Sequence, residues 1–235
     1  MQAKTVNASR GWNWLKCGWN LFARDFGTWF LMFILLAAIG ILLSFIPLIG
    51  SIALTIMMPV FMGSYMSAAR TLDTGGSISA GSLFLGFRDK SSMNRLLILG
   101  LIYVAVEFLL LFVVFSLLGG PAMMQASEDG TIDPSAIVMT TGMSFGLMLA
   151  MLAGMLVVMA FLFAPALVIL DGLAPVEAIK TSFSACLSNI LPMLLFGLIY
   201  TLLAILALLP MGLGYLILIP VTLVAVYCAY QSIFH

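Results

Sequence analysis

The sequence predicts an all-α integral membrane protein, with six transmembrane helices in three parallel hairpin units and amphipathic in-plane helices on the cytoplasmic face. Three observations predict it. The 235 residues are 63% hydrophobic and only 8% charged, against roughly 45–50% and about 25% in a soluble domain. The apolar residues gather in six runs near the length of about 20 residues that a helix needs to cross the hydrocarbon. The charges fall between those runs in a pattern that gives one orientation. Nine basic and nine acidic side chains cannot coat a 25.3 kDa globule, which excludes a soluble enzyme, a secreted scaffold and a disordered tail. The formal charge is zero, so no basic field points to nucleic acid.

The first element is an amphipathic helix over 9–25. Trp12, Leu15, Trp19, Phe22 and Phe26 recur at steps of three and four, and Asn13, Lys16, Asn20 and Arg24 do the same on another face. That pattern puts tryptophan at headgroup depth and cations toward anionic lipid. The leading MQAKTVNASR lacks the apolar core of a cleavable signal, and it is expected to stay on the chain. Six spans follow, at about 26–45, 52–69, 96–118, 140–170, 191–208 and 214–229, in a single membrane domain over 1–235. Pro47-Leu48-Ile49-Gly50 makes the turn between the first two. The fourth run is too long to lie straight along the normal, which predicts a tilt or a break at Pro165. Its start, Thr140-Thr141-Gly142, would then reach the headgroups. Before the fifth span, 174–190 repeats the amphipathic pattern. Val176, Ile179, Phe183, Cys186 and Ile190 lie on one face and Glu177, Lys180, Ser184 and Ser188 on the other.

Orientation follows from the cations. Lys4, Arg10, Lys16 and Arg24 precede the first span, Arg70, Arg88, Lys90 and Arg95 separate the second from the third, and Lys180 separates the fourth from the fifth. The connection Gly119–Ala136 carries Glu128, Asp129 and Asp133 but no cation. Six spans place all nine basic residues on one side, so both termini are predicted cytoplasmic.

A shift of 164 residues brings Leu15-Lys16 onto Ile179-Lys180, Trp19 onto Phe183, Asn20 onto Ser184, Asp25 onto Asn189 and Gly50 onto Gly214. Pro59 and Pro220 fall three residues out of that register. The implied unit is an in-plane helix followed by a two-span hairpin, and Ser77–Asn94, with Ser82-Leu83-Phe84-Leu85-Gly86-Phe87, reads as a degenerate third copy. Each unit starts and ends on one side, so the copies are parallel rather than inverted. Cys17, Cys186 and Cys228 are odd in number and far apart, which predicts free apolar thiols and neither a disulfide framework nor a metal site.

The stretches GWNWLKCGWNLFARDFGTW, IPLIG, SLFLGF and PVEAIKTSFSACLSNILP resemble a family of uncharacterised proteobacterial six-span inner-membrane proteins over nearly the whole chain. The last segment is distantly similar to the membrane domain of some glycerophosphodiester phosphodiesterases. These resemblances imply architecture and inner-membrane location, and they carry no functional residues or cofactor across.

Among polar positions, Glu107 is the ionisable residue deep inside a span, at the middle of Leu96–Leu118. An acid there costs about 2.5–3.5 kcal/mol on insertion scales. Tyr103 and Gly100 lie one and two turns before it on the same face. The residues leave two roles open: a proton or cation relay, or a neutral acid bonded to Tyr103, Tyr200, Thr201 or Thr55. In the fourth span Gly142, Gly146, Ala150 and Gly154 form a small-residue stripe suited to close helix packing. Met148, Met151, Met155 and Met159 lie roughly opposite, and Met58, Met62 and Met66 recur in the second span. Thioether stacks suit Cu(I), and Met151, Met155 and Met159 are the weak candidates; packing is the commoner use of methionine. Gly142-Met143-Ser144-Phe145-Gly146 has the form of a hydrolase elbow but lies in a helix, with the sole histidine at His235. No catalytic set emerges. The sequence therefore points to a non-enzymatic accessory or scaffold subunit without a cofactor, packing against lipid and another membrane protein or itself. The alternative is a small permease or lipid-handling protein using Glu107, with Cu(I) handling a lesser one.

Overall fold

A computed structural model describes residues 3–116 and 141–235, the side chains of 141–145 excepted. The acidic connection 119–136, the start of the fourth span, Gly142 and the Gly-x-Ser-x-Gly stretch lie outside these residues or their described side chains. The chain runs through α1 (Arg10–Arg24), α2 (Phe26–Ser44), α3 (Ile49–Asp73), a 3-10 turn (Ala80–Phe84), α4 (Leu85–Arg88) and α5 (Lys90–Val114). It continues through α6 (Thr141–Phe161), α7 (Ala164–Asp171), α8 (Pro175–Ser188), α9 (Ile190–Leu208) and α10 (Tyr215–Phe234). Six stretches are helical, long and apolar enough to cross a membrane: Phe26–Ser44, Ile49–Asp73, Lys90–Val114, Gly146–Asp171, Ile190–Leu208 and Tyr215–Phe234. The second and third extend well past the apolar runs, because a helix continues through polar residues wherever its backbone bonds do. The fourth breaks at Leu162–Phe163 rather than at Pro165. Pro165 instead sits in the first turn of α7, where its missing N–H leaves no bond unmade.

Two tight turns join α2 to α3 and α9 to α10. In the first, Leu48 has φ 65° and ψ −56°, and the Ile49 N–H donates to the Pro47 carbonyl at 2.7 Å. That is a γ-turn in the conformation an L residue seldom adopts. In the second, Met211 and Gly212 both have positive φ. Beyond each turn a glycine lets the two helices touch. A Cβ on Gly50 would collide with the Leu43 backbone, and one on Gly214 would lie 2.5 Å from the Ala207 Cα.

Burial is uneven along the spans. Trp29 and Met32 of α2, Phe61 and Tyr65 of α3, Leu96 and Leu99 of α5, Leu167 of α7 and Tyr227 and Tyr230 of α10 are buried at one end of the bundle. Ile41, Phe45, Phe112, Leu209 and Met211 are exposed toward the turns, as lipid permits for apolar side chains. The densely packed end is made by short helices lying against the longer ones. Helix α1 packs on α10 and α9, the 3-10 turn and α4 on α3, and α8 on α6 and α7. The same kind of contact recurs at each crossing. A Cβ on Gly18 would lie 2.8 Å from the Val221 carbonyl oxygen, and one on Gly86 2.7 Å from that of Val60. The Ser182 hydroxyl donates to the Met159 carbonyl at 2.8 Å and accepts the Phe163 N–H at 3.1 Å. Only a small residue allows backbones so close.

Two sequence expectations change here. Helix α1 buries Gly11, Trp14, Leu15, Gly18, Leu21 and Phe22, whereas Trp12 and Trp19, assigned to its apolar face, are about half exposed at 45% and 52%. In lipid both faces of a helix tolerate apolar residues, so the glycines mark the packed one. The cysteines are not all free. Cys17 and Cys228, 211 residues apart in sequence, are bridged with Cα atoms 6.2 Å apart, because α1 lies across α10. Cys186 is free and buried.

Candidate functional site

Glu107 lines a cavity of 170 Å³ between α3 and α5, with Leu48, Ser51, Thr55 and Phe108 among its walls. Helices α3 and α5 approach there because Gly100 allows it: a Cβ on Gly100 would collide with the Ile56 carbonyl. The neighbouring hydroxyls spend their protons on nearby backbone, Ser51 on Leu48 at 2.9 Å and Thr55 on Ser51 at 2.9 Å. Their oxygens keep lone pairs free as acceptors. Leu48 belongs to the α2–α3 turn, so Glu107 sits nearer the turn end of the bundle than the middle of a 96–118 span. The reason is that α5 already begins at Lys90.

Of the proposed partners, Tyr103 lies one turn before Glu107 and packs edge-on against Phe161 at 5.0 Å between ring centroids. Tyr200 and Thr201 belong to α9, which packs on α1, α10 and α8, while α5 packs on α3, α4, α6, α7 and α8. The Thr201 hydroxyl donates to Gly197 of its own helix at 2.8 Å. Glu107 thus shares its cavity with Thr55 and Ser51 rather than with residues of α9.

In the fourth span Gly146 is buried and Ala150 half-buried, while a Cβ on Gly154 would meet nothing within 4 Å. The methionines differ in setting: Met148, Met151 and Met155 are exposed and Met159 is in the core. Met58 and Met62 are half-buried and Met66 is buried. Among the described residues no group of three His, Cys, Asp or Glu side chains is placed to hold a metal.

A second polar cluster, absent from the sequence reading, joins the ends of α3, α7 and α10. The Tyr227 hydroxyl donates to Asp73 Oδ2 at 3.1 Å and accepts from Gln231 Nε2 at 2.8 Å. The Tyr230 hydroxyl donates to Asp171 Oδ2 at 2.5 Å, and His235 Nε2 lies 3.7 Å from Asp171 Oδ1. Arg70 donates to the Leu170 carbonyl at 3.4 Å, and Arg95 donates to the Gly172 carbonyl. Cations thus meet the negative ends of helices, and the Tyr227 and Tyr230 hydroxyls each have an aspartate partner. The sequence signal was present in the span-end acids, but nothing in their spacing says that these ends converge.

Among the described residues, six apolar helices of crossing length and a core at one end of the bundle define a polytopic helical membrane protein. Across 212 residues the chain is 27% identical to a protein of Burkholderia thailandensis described as a probable inner membrane protein, a likeness covering 87% of this chain and 77% of that one. No family model matches the chain, and no solved structure matches it.

Proposed function

We propose that the protein is a non-enzymatic accessory or scaffold protein of the bacterial inner membrane, with both termini cytoplasmic, which packs against another membrane protein or a second copy of itself. The compartment follows the Burkholderia relative and the six-span family that the sequence resembles; the orientation follows the nine cations. The observation that carries the scaffold reading is where polar groups go. The hydroxyls of Thr55, Ser64, Thr71, Thr201 and Thr222 donate to carbonyls of their own helices, and that of Ser51 to Leu48 in the preceding turn. Few donors are left to converge on a solute, as a selective site requires. Meanwhile the flank of α6 is unfilled beside Gly154, and Met151 is 70% exposed.

Three parallel units around the packed end are part of this proposal. Their support is positional. Under a shift of 164, α2 falls on α9 at both ends, and the buried Trp14, Gly18, Leu21 and Phe22 of α1 fall on the buried Ala178, Ser182, Ala185 and Cys186 of α8. The crossings at Gly18, Gly86 and Ser182 supply a third match. In such an arrangement α1 and α8 are the in-plane helices.

The test is a cysteine at Gly154 used for cross-linking in native membranes. The expected result is a discrete adduct with a partner or with a second copy, and a monomer alone at every concentration overturns the reading. A second reading, a permease or lipid-handling protein, is favoured by the cavity at Glu107 with its Ser51 and Thr55 acceptors. Glu107→Gln keeps the shape and removes the exchangeable proton. Collapse of uptake or efflux in vesicles, with folding retained, would replace the scaffold reading by this one.

A further inference from the structure

A larger cavity, of 710 Å³, lies between α1, α9 and α10. Its shape follows from the contacts that bound it. Helix α1 meets α10 closely at Gly18, against Val221 and Ala225, and meets α9 at Gly11, against the Pro192 carbonyl. Toward the turn, α9 and α10 come together again where Gly214 meets Ala207. Between those closures runs a slot walled by Leu203, Leu206, Ile217 and Leu218. Its rim is different. Lys16 and Asn20 stand there between Trp12 and Trp19, with the Lys16 ammonium 5.3 Å from the centre of the Trp12 ring. Lys16 makes no ion pair among the described residues, and α1 contains no acidic residue.

We propose that this slot seats an acyl chain of an anionic glycerophospholipid, with the phosphate held by Lys16 and Asn20. An open apolar slot with a single cation at its rim matches the two ends of that molecule, and tryptophan favours the depth where they join. Charge complementarity selects this occupant: no carboxylate of this chain answers Lys16 among the described residues, and every anionic phospholipid brings one phosphate. The proposal goes beyond the scaffold reading and does not depend on it.

Tryptophan quenching tests it. The full chain is placed in phosphatidylcholine nanodiscs doped with chain-brominated phosphatidylglycerol or, in parallel, chain-brominated phosphatidylcholine. Of the four tryptophans, Trp14 and Trp29 are buried and Trp12 and Trp19 line the slot, so quenching reads the slot. The expected preference for the anionic lipid is about fivefold, the factor that about 1 kcal/mol for one lysine at an anionic surface provides. Lys16→Gln should abolish the preference and Lys16→Arg should keep it, while Leu203→Phe, which fills the slot, should lower quenching by both lipids. Equal quenching in the natural protein, a preference that survives Lys16→Gln, or one lost equally in Lys16→Arg overturns the proposal. So does cross-linking between copies through Trp12→Cys with no quenching by either lipid.

Discussion

Ser182 and Tyr65 are buried hydroxyls with opposite prospects. Ser182 bonds at both its donor and its acceptor side where the fourth span breaks, so Ser182→Ala strands the Phe163 N–H in the core. A loss of about 1–2 kcal/mol is expected, since a stranded buried donor keeps its full desolvation penalty. Tyr65 stacks on Trp29 at 5.8 Å, yet its buried hydroxyl has no partner. Tyr65→Phe keeps the stack, removes the orphan and should raise stability by about 1 kcal/mol. Thermal unfolding in one detergent measures both, and changes of the same sign would contradict the bonding described. Asp89 gives a pH test. Hydrogen bonding from Ser92, and then from the Ser91 N–H, holds its carboxyl below the usual carboxylate range. The folded pKa is thus below the unfolded one, near 4. Its contribution is present above that value and disappears as pH falls through the lower folded one. Between about pH 5 and pH 3 the natural protein should lose more thermal stability than Asp89→Asn. Parallel curves would remove Asp89 as the cap of α5.

At the scale of elements, close crossings decide which helices can be neighbours. Gly100→Val would push a Cβ into the Ile56 carbonyl and force α3 and α5 apart, at a cost of about 1–3 kcal/mol or more. Gly154→Val adds a side chain where nothing lies within 4 Å, and should leave folding unchanged. Monodispersity and unfolding temperature of the two variants give the comparison, and equal damage would refute the difference in packing. The spans themselves were legible, because water excludes any other place for runs such as Leu191–Leu208. The turn at Pro47–Gly50 was legible too, since only a few residues separate two runs. The facing of α1 was not. Hydropathy separates water from oil, and the choice for Trp12, Trp14 and Trp19 is between protein and lipid, both apolar. Gly11 and Gly18 carried that information through their lack of a side chain. Of the candidate site, Glu107 was legible as an anomaly of charge. Which of Thr55, Tyr200 and Thr201 shares its cavity was not, because composition does not say which spans are adjacent. The tyrosine–aspartate cluster stayed hidden because it depends on the convergence of three helix ends.

For the whole molecule the telling contact is between its first and last described helices. Helix α1 lies on α10, Trp14 Nε1 donates to Ser232 Oγ at 2.9 Å, and the Lys4 N–H donates to the Ile233 carbonyl at 2.8 Å. Asn189, at the head of α9, accepts the Val6 N–H at 2.8 Å. The Cys17–Cys228 pair crosses the same seam, within the Cα separation of about 4.4–6.8 Å that a bridge allows. Cytoplasmic termini, however, would put this pair where thiols are kept reduced. The two statements meet in one experiment. Cells are opened directly into denaturant with an alkylating reagent, and the purified chain is treated likewise after a mild oxidant. With the termini inside, the first sample should show all three cysteines alkylated, and the oxidised one only Cys186. In the folded, oxidised protein even Cys186 should resist, because burial pushes its thiol up to about 12 and leaves almost no thiolate near neutrality. Closing so long a loop should stabilise the fold by about 2–4 kcal/mol, a gain that Cys17→Ser removes. Failure to bridge after oxidation would overturn the placement of α1 across α10. A bridge already present in cells would leave that placement standing and reverse the orientation, putting this packed end on the oxidising side of the membrane.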